Sequence, residues 1–268
     1  MTAYEAEQRE QILAWESRSP GIAGKAMGVA LSPLSWIVQR VVPASLIEKA
    51  LRSADTVSDA LITSTERNDV LRAAGVAEIS EIRGKPLNFC DEKANSVHNW
   101  ALGAAAAVGG GGGLLGAAGM VAEIPLVVVL AMRTIRKIGL CYGFDNAGED
   151  GQKIVLGILS IASANDPSEK ATALAGLKQF ELLVATHTWK KVIEMSSRGS
   201  SNAAILMTVK ATAKQLGMNL TKRKALQTIP VAGALIGASM NVLFLGDVAW
   251  AARRVFQSMK LADEKPTQ

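Results

Sequence analysis

The stretch ALGAAAAVGGGGGLLGAAGMVAEIPLVVVLAM, residues 101–132, decides the fold that this sequence predicts. Its one charged side chain is that of Glu123, and most other residues are glycine, alanine or branched aliphatics. Residues 225–246 form a second stretch of this kind and carry no charge. Such uniformly apolar segments are typical of helices that are covered by protein or that meet a membrane.

Both stretches contain two glycines four residues apart, each pair followed by alanine. The pairs are Gly112 with Gly116 and Gly233 with Gly237. On one helix this spacing leaves a flat groove, so a neighbouring backbone can approach closely. We therefore predict two glycine zippers at the centre of the fold.

The composition excludes several classes of protein. Hydrophobic residues make up 49% of the 268, aromatic residues 4% and charged residues 20%, and 24 residues are glycine. The mean hydropathy is +0.20. These values argue against a disordered chain, a collagen-like repeat, a disulfide scaffold and a polytopic membrane protein of ordinary density.

Helix signals recur along the chain, whereas no segment alternates in the manner of a strand. The clearest helix start is Asp166-Pro167-Ser168-Glu169, where the Asp166 side chain can cap free amides and Glu169 can reach back. Helices at 151–196 and 202–217 are expected to pack around the two apolar stretches.

We therefore predict an all-α fold in a single compact domain over residues 1–268. Residues 101–261 form its glycine-zippered core, and residues 1–100 form a helical cover.

Two features argue against a single membrane-crossing helix at 101–132. The five glycines at 109–113 weaken a helix by about 1 kcal/mol each, and Glu123-Ile124-Pro125 is expected to interrupt it with a new helix start. The two apolar stretches are predicted to be buried core helices or a hairpin that inserts reversibly, and both interpretations stay open.

Positive charge is concentrated near the C-terminus. The chain carries a net charge of +5, and residues 181–260 hold eleven Lys or Arg against three Asp or Glu. An anionic membrane surface is one expected partner, and a solvated helix face is the other explanation. No recognition motif points to nucleic acid. The residues predicted to meet the surface are Lys190, Lys191, Lys222, Arg223 and Lys224.

The cysteines and the N-terminus favour a cytoplasmic protein. Cys90 and Cys141 belong to no C-x-x-C pair, which is typical of a reducing compartment. The first twenty residues are charged and do not resemble a secretory signal. We expect a cytoplasmic protein, peripheral or reversibly inserted at the inner membrane.

Several motifs follow one another in a specific order. The motifs are Gly116-Ala117-Ala118-Gly119-Met120-Val121-Ala122-Glu123-Ile124-Pro125, Arg133-Thr134-Ile135-Arg136-Lys137-Ile138, Tyr142-Gly143-Phe144-Asp145, Asn219-Leu220-Thr221-Lys222-Arg223-Lys224 and Ile229-Pro230-Val231-Ala232-Gly233-Ala234-Leu235-Ile236-Gly237-Ala238 with Asn241. In this order and spacing the sequence resembles the EcsC family of bacterial proteins over roughly residues 55–260. Glu123 stands where the family has an aspartate. The resemblance implies a helical, membrane-associated or transport-related protein, and it implies neither catalytic residues nor a cofactor.

Glu123 has two open interpretations. Beside a predicted helix start, its carboxylate would interact favourably with free amides. As an internal acid it would need a partner, because a buried unpaired carboxylate is costly. The candidate partners are Arg133, Arg136 and His98.

The other polar residues of these motifs are expected to have structural roles. Gly143 is expected to end a helix in the left-handed conformation, with Asp145 starting the next turn and Tyr142 packed with its hydroxyl bonded. Asp247 is expected to form an ion pair along or between helices. Asn241 is expected to bond a backbone group freed by a nearby proline or glycine.

No metal or cofactor site is predicted. His98 and His187 have no partner at metal-binding spacing, and the glycines at 111, 113 and 116 follow a helical stretch instead of the strand that a dinucleotide site needs.

Three functions remain. The first is a non-enzymatic protein that binds the cytoplasmic face of a membrane or a membrane transporter. The second is a soluble carrier of a lipid or another hydrophobic ligand, and the third is a hydrolase using Glu123 and Asp145. The sequence does not determine the oligomeric state.

Overall fold

The structure is a computed structural model that describes residues 1–18, 51, 62–113, 116–146, 148–164, 167–186 and 233–263. Within these ranges it contains seven α-helices and one 3₁₀ helix, and no strand. The prediction of an all-α fold is confirmed.

The helices are short in the N-terminal part and long in the centre. Their bounds are α1 Ala3–Ser17, α2 Ser64–Ala74, α3 Leu87–Gly113, α4 Gly116–Cys141, α5 Gly148–Ser163, α6 Pro167–Thr186 and α7 Gly233–Asp263, with the 3₁₀ helix at Ile79–Gly84. Both α1 and α2 begin with a capping box, in which a threonine and a glutamate three residues later bond each other's backbone amides. The predicted helix start at Pro167 is confirmed.

The three long helices α3, α4 and α7 form the centre of the fold. The ring of Trp100 in α3 lies 4.1 Å from the ammonium group of Lys137 in α4, and Tyr142 just after α4 reaches Asp91 near the start of α3, so the two helices run antiparallel. Helix α7 lies along both, and the side chain of its Asn241 reaches Glu123 of α4 while that of Arg253 reaches Asn95 of α3. It therefore runs parallel to α4 and antiparallel to α3.

Each long helix presents a fully covered apolar stripe to the others. In α7 the stripe repeats every four residues, as expected for one face of a helix. Its members are Phe244, Val248, Ala252 and Phe256, each at most 1% exposed. Facing them in α3 and α4 are small or branched side chains, which let the backbones come close: Ala94, Ala101, Ala105, Val127, Val128, Ala131 and Ile135.

The predicted helix start at Ile124-Pro125 is wrong. Helix α4 begins at Gly116, and Pro125 lies inside it. Proline in a helix interior removes one backbone hydrogen bond, but Val127 and Val128 shortly after it are completely buried. Packing of this apolar face outweighs the local cost of the proline. Helix α3 likewise continues through the glycine run and ends at Gly113.

One of the two predicted glycine zippers needs correction, and the other stays a prediction. Gly112 lies at the end of α3 and Gly116 begins α4, so this pair is divided between two helices and does not form one groove. Gly233 and Gly237 both lie in the first turns of α7. The packing around all four glycines lies outside the described residues, as do the predicted helix at 202–217 and the end of the stretch 151–196 beyond Thr186.

The described glycines with the closest packing surround Asn146, in the link between α4 and α5. A Cβ atom on Gly139 would lie 2.0 Å from the Asn146 amide nitrogen, and one on Gly151 would lie 2.2 Å from the Asn146 carbonyl carbon. Gly143 has a φ of 83°, so the expected left-handed end of α4 is confirmed. The packing around this link therefore leaves no room for a Cβ atom at Gly139, Gly143 or Gly151.

We expect Gly151→Ala to destabilise the protein by about 1–3 kcal/mol, because the new methyl group would overlap the Asn146 backbone. The control is Gly176→Ala in α6, where a methyl group would meet nothing within 4 Å. That change should be neutral or stabilise the helix by roughly 0.5–1 kcal/mol. Chemical denaturation compares the free energies of unfolding, and equal values for the two variants would contradict the close packing at Gly151.

Candidate functional site

A buried carboxylate, that of Asp91, joins three of the helices and the end of α4. Only 3% of Asp91 is exposed. Its oxygens accept hydrogen bonds from the hydroxyl of Tyr4 at 2.6 Å, from the amide of Gln257 at 2.8 and 2.9 Å and from the hydroxyl of Tyr142. The guanidinium of Arg253 lies 3.4 Å away and balances the charge. The prediction that Tyr142 packs with its hydroxyl bonded is confirmed.

Both tyrosines stay protonated in this setting. Burial, together with the neighbouring carboxylate, raises the pKa of Tyr4 to about 12 and raises that of Tyr142 well above its ordinary value. A phenolate beside Asp91 would place two negative charges in a poorly solvated site. The two hydroxyls therefore act as hydrogen-bond donors to the carboxylate.

A chain of amides extends this cluster towards α1. The guanidinium of Arg254, 7% exposed, donates to Gln8 at 2.9 Å, to Gln11 at 2.8 Å and to Gln257 at 2.8 Å. These hydrogen-bond partners are neutral, and burial lowers the pKa of Arg254. Helix α1 is consequently tied to α7 through polar groups.

The arginine-rich motif of α4 binds α2. Glu66 accepts hydrogen bonds from Arg133 at 2.7 Å and from Lys137 at 2.9 Å, and both cations also lie over the ring of Trp100. Burial alone would raise the pKa of Glu66, but the bonds from Lys137, the Thr63 backbone and Arg133 outweigh it and lower the pKa to about 2. The glutamate is therefore ionised at neutral pH.

Asp145 and Arg136 lie at the other end of α4 in separate contacts. Asp145 accepts two hydrogen bonds from the guanidinium of Arg67, at 2.7 and 3.1 Å, on an exposed surface. Arg136 is buried and donates to the backbone carbonyl of Asn146. Asp145 thus fixes α2 on the end of α4, and Arg136 fixes the link to α5.

Glu123 has a partner that the sequence did not indicate. It lies inside α4, 3% exposed, and accepts a hydrogen bond from the side chain of Asn241. The expectation of a helix start is therefore wrong, and so are the candidate partners. Arg133 pairs with Glu66, and His98 packs edge-on against Trp250 at 5.7 Å. Asn241 bonds a carboxylate instead of the expected backbone group.

The two carboxylates of the hydrolase hypothesis do not share a cleft. Glu123 lies eighteen residues before the end of α4 at Cys141, a distance of about 27 Å along the helix. Asp145 follows that end and is exposed, whereas Glu123 is buried against Asn241. The described geometry gives them no common substrate.

Other predicted positions remain predictions. The five basic residues expected at an anionic surface, Lys190, Lys191, Lys222, Arg223 and Lys224, lie outside the described residues. Asp247 lines a cleft beside Trp250 and contributes an electrostatic interaction with Lys170. In the described ranges no three His, Cys, Asp or Glu side chains are grouped to hold a metal ion. Cys90 and Cys141 are both buried and form no disulfide.

Asp91, the centre of the polar cluster, was not among the residues predicted from the sequence. One signal could have found it, since Leu87, Asp91 and Ala94 fall on one face of α3 at helical spacing and all three are buried. An acid within a buried stripe requires donors from other elements. Tyr4 and Gln257, which supply two of them, lie far away in the sequence and carried no comparable signal.

Comparison with known proteins gives one family and one distant relative. The model of the EcsC protein family matches residues 6–259. The uncharacterized protein YdbA of Bacillus subtilis (strain 168) is 25% identical over 185 residues, which cover 69% of this chain and 63% of the relative. The chain therefore spans less than two thirds of the length of that relative. No solved structure matches the chain significantly.

We expect Asp91→Asn to lower the free energy of unfolding by about 3 kcal/mol, because it leaves Arg253 without its buried counter-charge and removes an acceptor from the cluster. The matched control is Asp69→Asn on α2, where the carboxylate is exposed and lies 3.5 Å from an exposed Arg72. That change should cost less than about 1 kcal/mol. Urea denaturation at pH 7 measures both, and a small effect at Asp91 would contradict its central role.

Because of Glu66, the free energy of unfolding should decrease as the pH falls through the acid range. Its pKa is lowered to about 2 from the ordinary 4.5, so its contribution is complete above about pH 4.5 and is lost as the pH falls towards 2. Glu66→Gln should cost about 1–3 kcal/mol at pH 7 and remove this part of the pH dependence.

The control for Glu66 is Glu92→Gln. The side chain of Glu92 is 75% exposed and lies 3.6 Å from Lys93. Unfolding free energies measured from pH 7 to pH 2 should show the same slope in this variant as in the wild type. An unchanged slope in Glu66→Gln would mean that the ion pairs with α4 contribute nothing.

Proposed function

The chain belongs to the EcsC protein family. From that premise we propose that it acts without catalysis at the cytoplasmic face of a membrane, and that one end of the helix bundle inserts into this membrane. The proposal is carried by one observation: that end of the bundle is uncharged on its described surface and exposes large apolar side chains. Cys90 and Cys141, which are buried and form no disulfide, support placement in a reducing compartment.

We call this end of the bundle the tip, and define it as residues 99–113 of α3, 116–132 of α4 and 233–246 of α7. Glu123 is its one charged residue, and it points inward to Asn241. Leu126 is 58% exposed and Leu243 is 49% exposed. Exposed leucines on an uncharged end are costly in water and favourable in lipid.

A belt of tryptophans and arginines or lysines surrounds the base of the tip. On one side Trp100, 39% exposed, lies under Lys137 and Arg133. On the other side Trp250, 42% exposed, lies under Arg253 and Arg254, each at 5.2 Å. Tryptophan and basic side chains are enriched where a protein passes from lipid to water. The belt supports a position of these residues at the level of the lipid headgroups.

The length of the tip suits partial insertion. From Trp100 to Gly113, helix α3 rises about 20 Å, whereas the hydrocarbon core of a bilayer is about 30 Å thick. None of the helices in the described parts of the chain is long and apolar enough to cross a membrane. The tip would enter one leaflet, with its only carboxylate shielded inside.

A membrane transporter is the second candidate partner, since the same leucines could pack on its apolar helices. The belt favours lipid, because tryptophan rings beside basic side chains are typical of the headgroup level of a membrane. Binding to vesicles that contain no protein separates the two possibilities.

The test is flotation with vesicles of phosphatidylethanolamine and phosphatidylglycerol at low salt. The wild type should float, and the double variant Leu126→Glu/Leu243→Glu should lose at least about tenfold in partitioning, because a charged side chain in hydrocarbon costs about 2.5 kcal/mol or more. The control is Leu13→Glu on α1, where the leucine is 59% exposed but lies away from the tip.

Three outcomes are informative. Loss of binding in the tip variant alone supports the proposal. Equal loss in Leu13→Glu would show that general hydrophobicity, and not the tip, drives binding. Failure of the wild type to float would overturn membrane binding and leave the transporter as the remaining partner.

A further inference from the structure

A cleft of about 380 Å³ lies between α1, α5, α6 and α7, outside the tip. This volume is within the range of small-molecule sites. Two indole rings and three cations dominate its described lining, together with one carboxylate. These residues are Trp15, Trp250, Arg18, Lys170, Arg254 and Asp247.

Lys170 is a buried cation whose hydrogen bonds go to neutral groups. It is 5% exposed, and its ammonium donates to the backbone carbonyl of Arg18 at 3.0 Å and to that of Trp15. The ammonium also lies 4.4 Å from the centre of the Trp15 ring. Burial lowers the pKa of Lys170, which is the expected result for a charge that its surroundings solvate incompletely.

Arg254 also lines the cleft, and it too is a buried cation whose hydrogen bonds go to neutral groups. The amides of Gln8, Gln11 and Gln257 receive its hydrogen bonds, and they carry no charge. Two buried cations are therefore oriented by hydrogen bonds to neutral acceptors, and the nearby carboxylates, Asp91 for Arg254 and Asp247 and Glu16 for Lys170, compensate their charge in part. Such an arrangement favours an additional anion.

The charges around the cleft leave a positive excess. Arg18 adds a third cation at the exposed rim, and Asp247 is the one carboxylate in the described lining. Glu16, the other acid near Lys170, forms an ion pair with Lys178 at 2.8 Å. Three cations thus face one carboxylate.

We propose that this cleft binds a phosphate ester with an apolar group, its phosphate between Lys170, Arg254 and Arg18 and its apolar part between the two indoles. Indole faces supply apolar contact area, and the cations supply charge-assisted hydrogen bonds to phosphate oxygens. Trp250 and Arg254 also belong to the belt, so the ligand is either the headgroup region of an acidic lipid or a free phosphate ester. The inference does not require insertion of the tip.

Isothermal titration calorimetry on the full chain tests the site with three probes. They are dihexanoylphosphatidic acid below its micelle concentration, dihexanoylphosphatidylcholine and inorganic phosphate. The phosphatidic acid should bind saturably and more tightly than the phosphatidylcholine, which has the same acyl chains and no net charge. Inorganic phosphate should bind more weakly, because it lacks the apolar group. Equally tight binding would show that the site takes a free phosphate and would overturn the role given to the indoles.

Matched variants locate the binding. Lys170→Met should weaken phosphatidic acid binding by about tenfold or more, as expected for loss of a charged hydrogen bond. Lys93→Met, on α3 and outside the cleft, should stay close to the wild type, because this lysine lies 3.6 Å from the neighbouring Glu92 and contributes nothing to the cleft. Arg18→Gln is a second cleft variant that keeps the bonds from Lys170, because these go to backbone carbonyls. It should also weaken binding, and it serves if Lys170→Met does not fold.

The proposal is overturned if no phosphate probe binds the wild type, if phosphatidylcholine binds equally, or if both cleft variants bind like Lys93→Met. The tip variant Leu126→Glu/Leu243→Glu should bind soluble phosphatidic acid normally. Failure of membrane flotation and failure of this site are therefore distinguishable.

Discussion

The buried carboxylate of Asp91 is the constraint on which the rest of the structure depends. A single ionised group with almost no contact with water must be surrounded by donors, and one helix cannot supply them. The donors come from α1 through Tyr4, from the end of α4 through Tyr142 and from α7 through Gln257 and Arg253. The contacts that balance this one charge therefore set the relative positions of α1, α3, α7 and the end of α4. Apolar packing alone would not determine how far these elements are shifted along one another.

The charged groups of the molecule fall into two kinds, which differ in what surrounds them. Glu66 and Asp91 are matched by opposite charges, so they hold elements together and have nothing left to offer a ligand. Lys170 and Arg254 donate their hydrogen bonds to carbonyls and amides, and nearby carboxylates compensate their charge in part, so part of that charge remains available to a ligand. Arg136 and Lys260 are buried and also donate to backbone carbonyls, but it is Lys170 and Arg254 that line the cleft.

Much of the fold was predictable, and the contacts between its helices were not. The uncharged apolar stretches indicated where parts of the three long helices lie, and the capping signal identified the start at Pro167, because those signals are local. The local signal at Pro125 predicted a helix start, but the helix continues through this proline because the residues that follow it are buried. Glu123 and Asn241 show the general limit: each was recognised as a polar residue in an apolar helix, but their contact depends on the relative position of two helices 118 residues apart in sequence.

The polar attachment of α1 has a thermodynamic consequence. Among the buried residues of this helix only Ile12 is apolar, the others being Glu5 and Gln8, and its main contacts are hydrogen bonds to Asp91, Arg254 and Lys170. Tyr4 and Trp15 of the same helix are partly buried against the core, so detaching α1 would expose some apolar surface, but less than unfolding of the three-helix centre, and would change the heat capacity less. Polar contacts therefore contribute a larger share to the attachment of α1 than to the cohesion of the centre, and α1 is expected to open at a lower free energy than the centre.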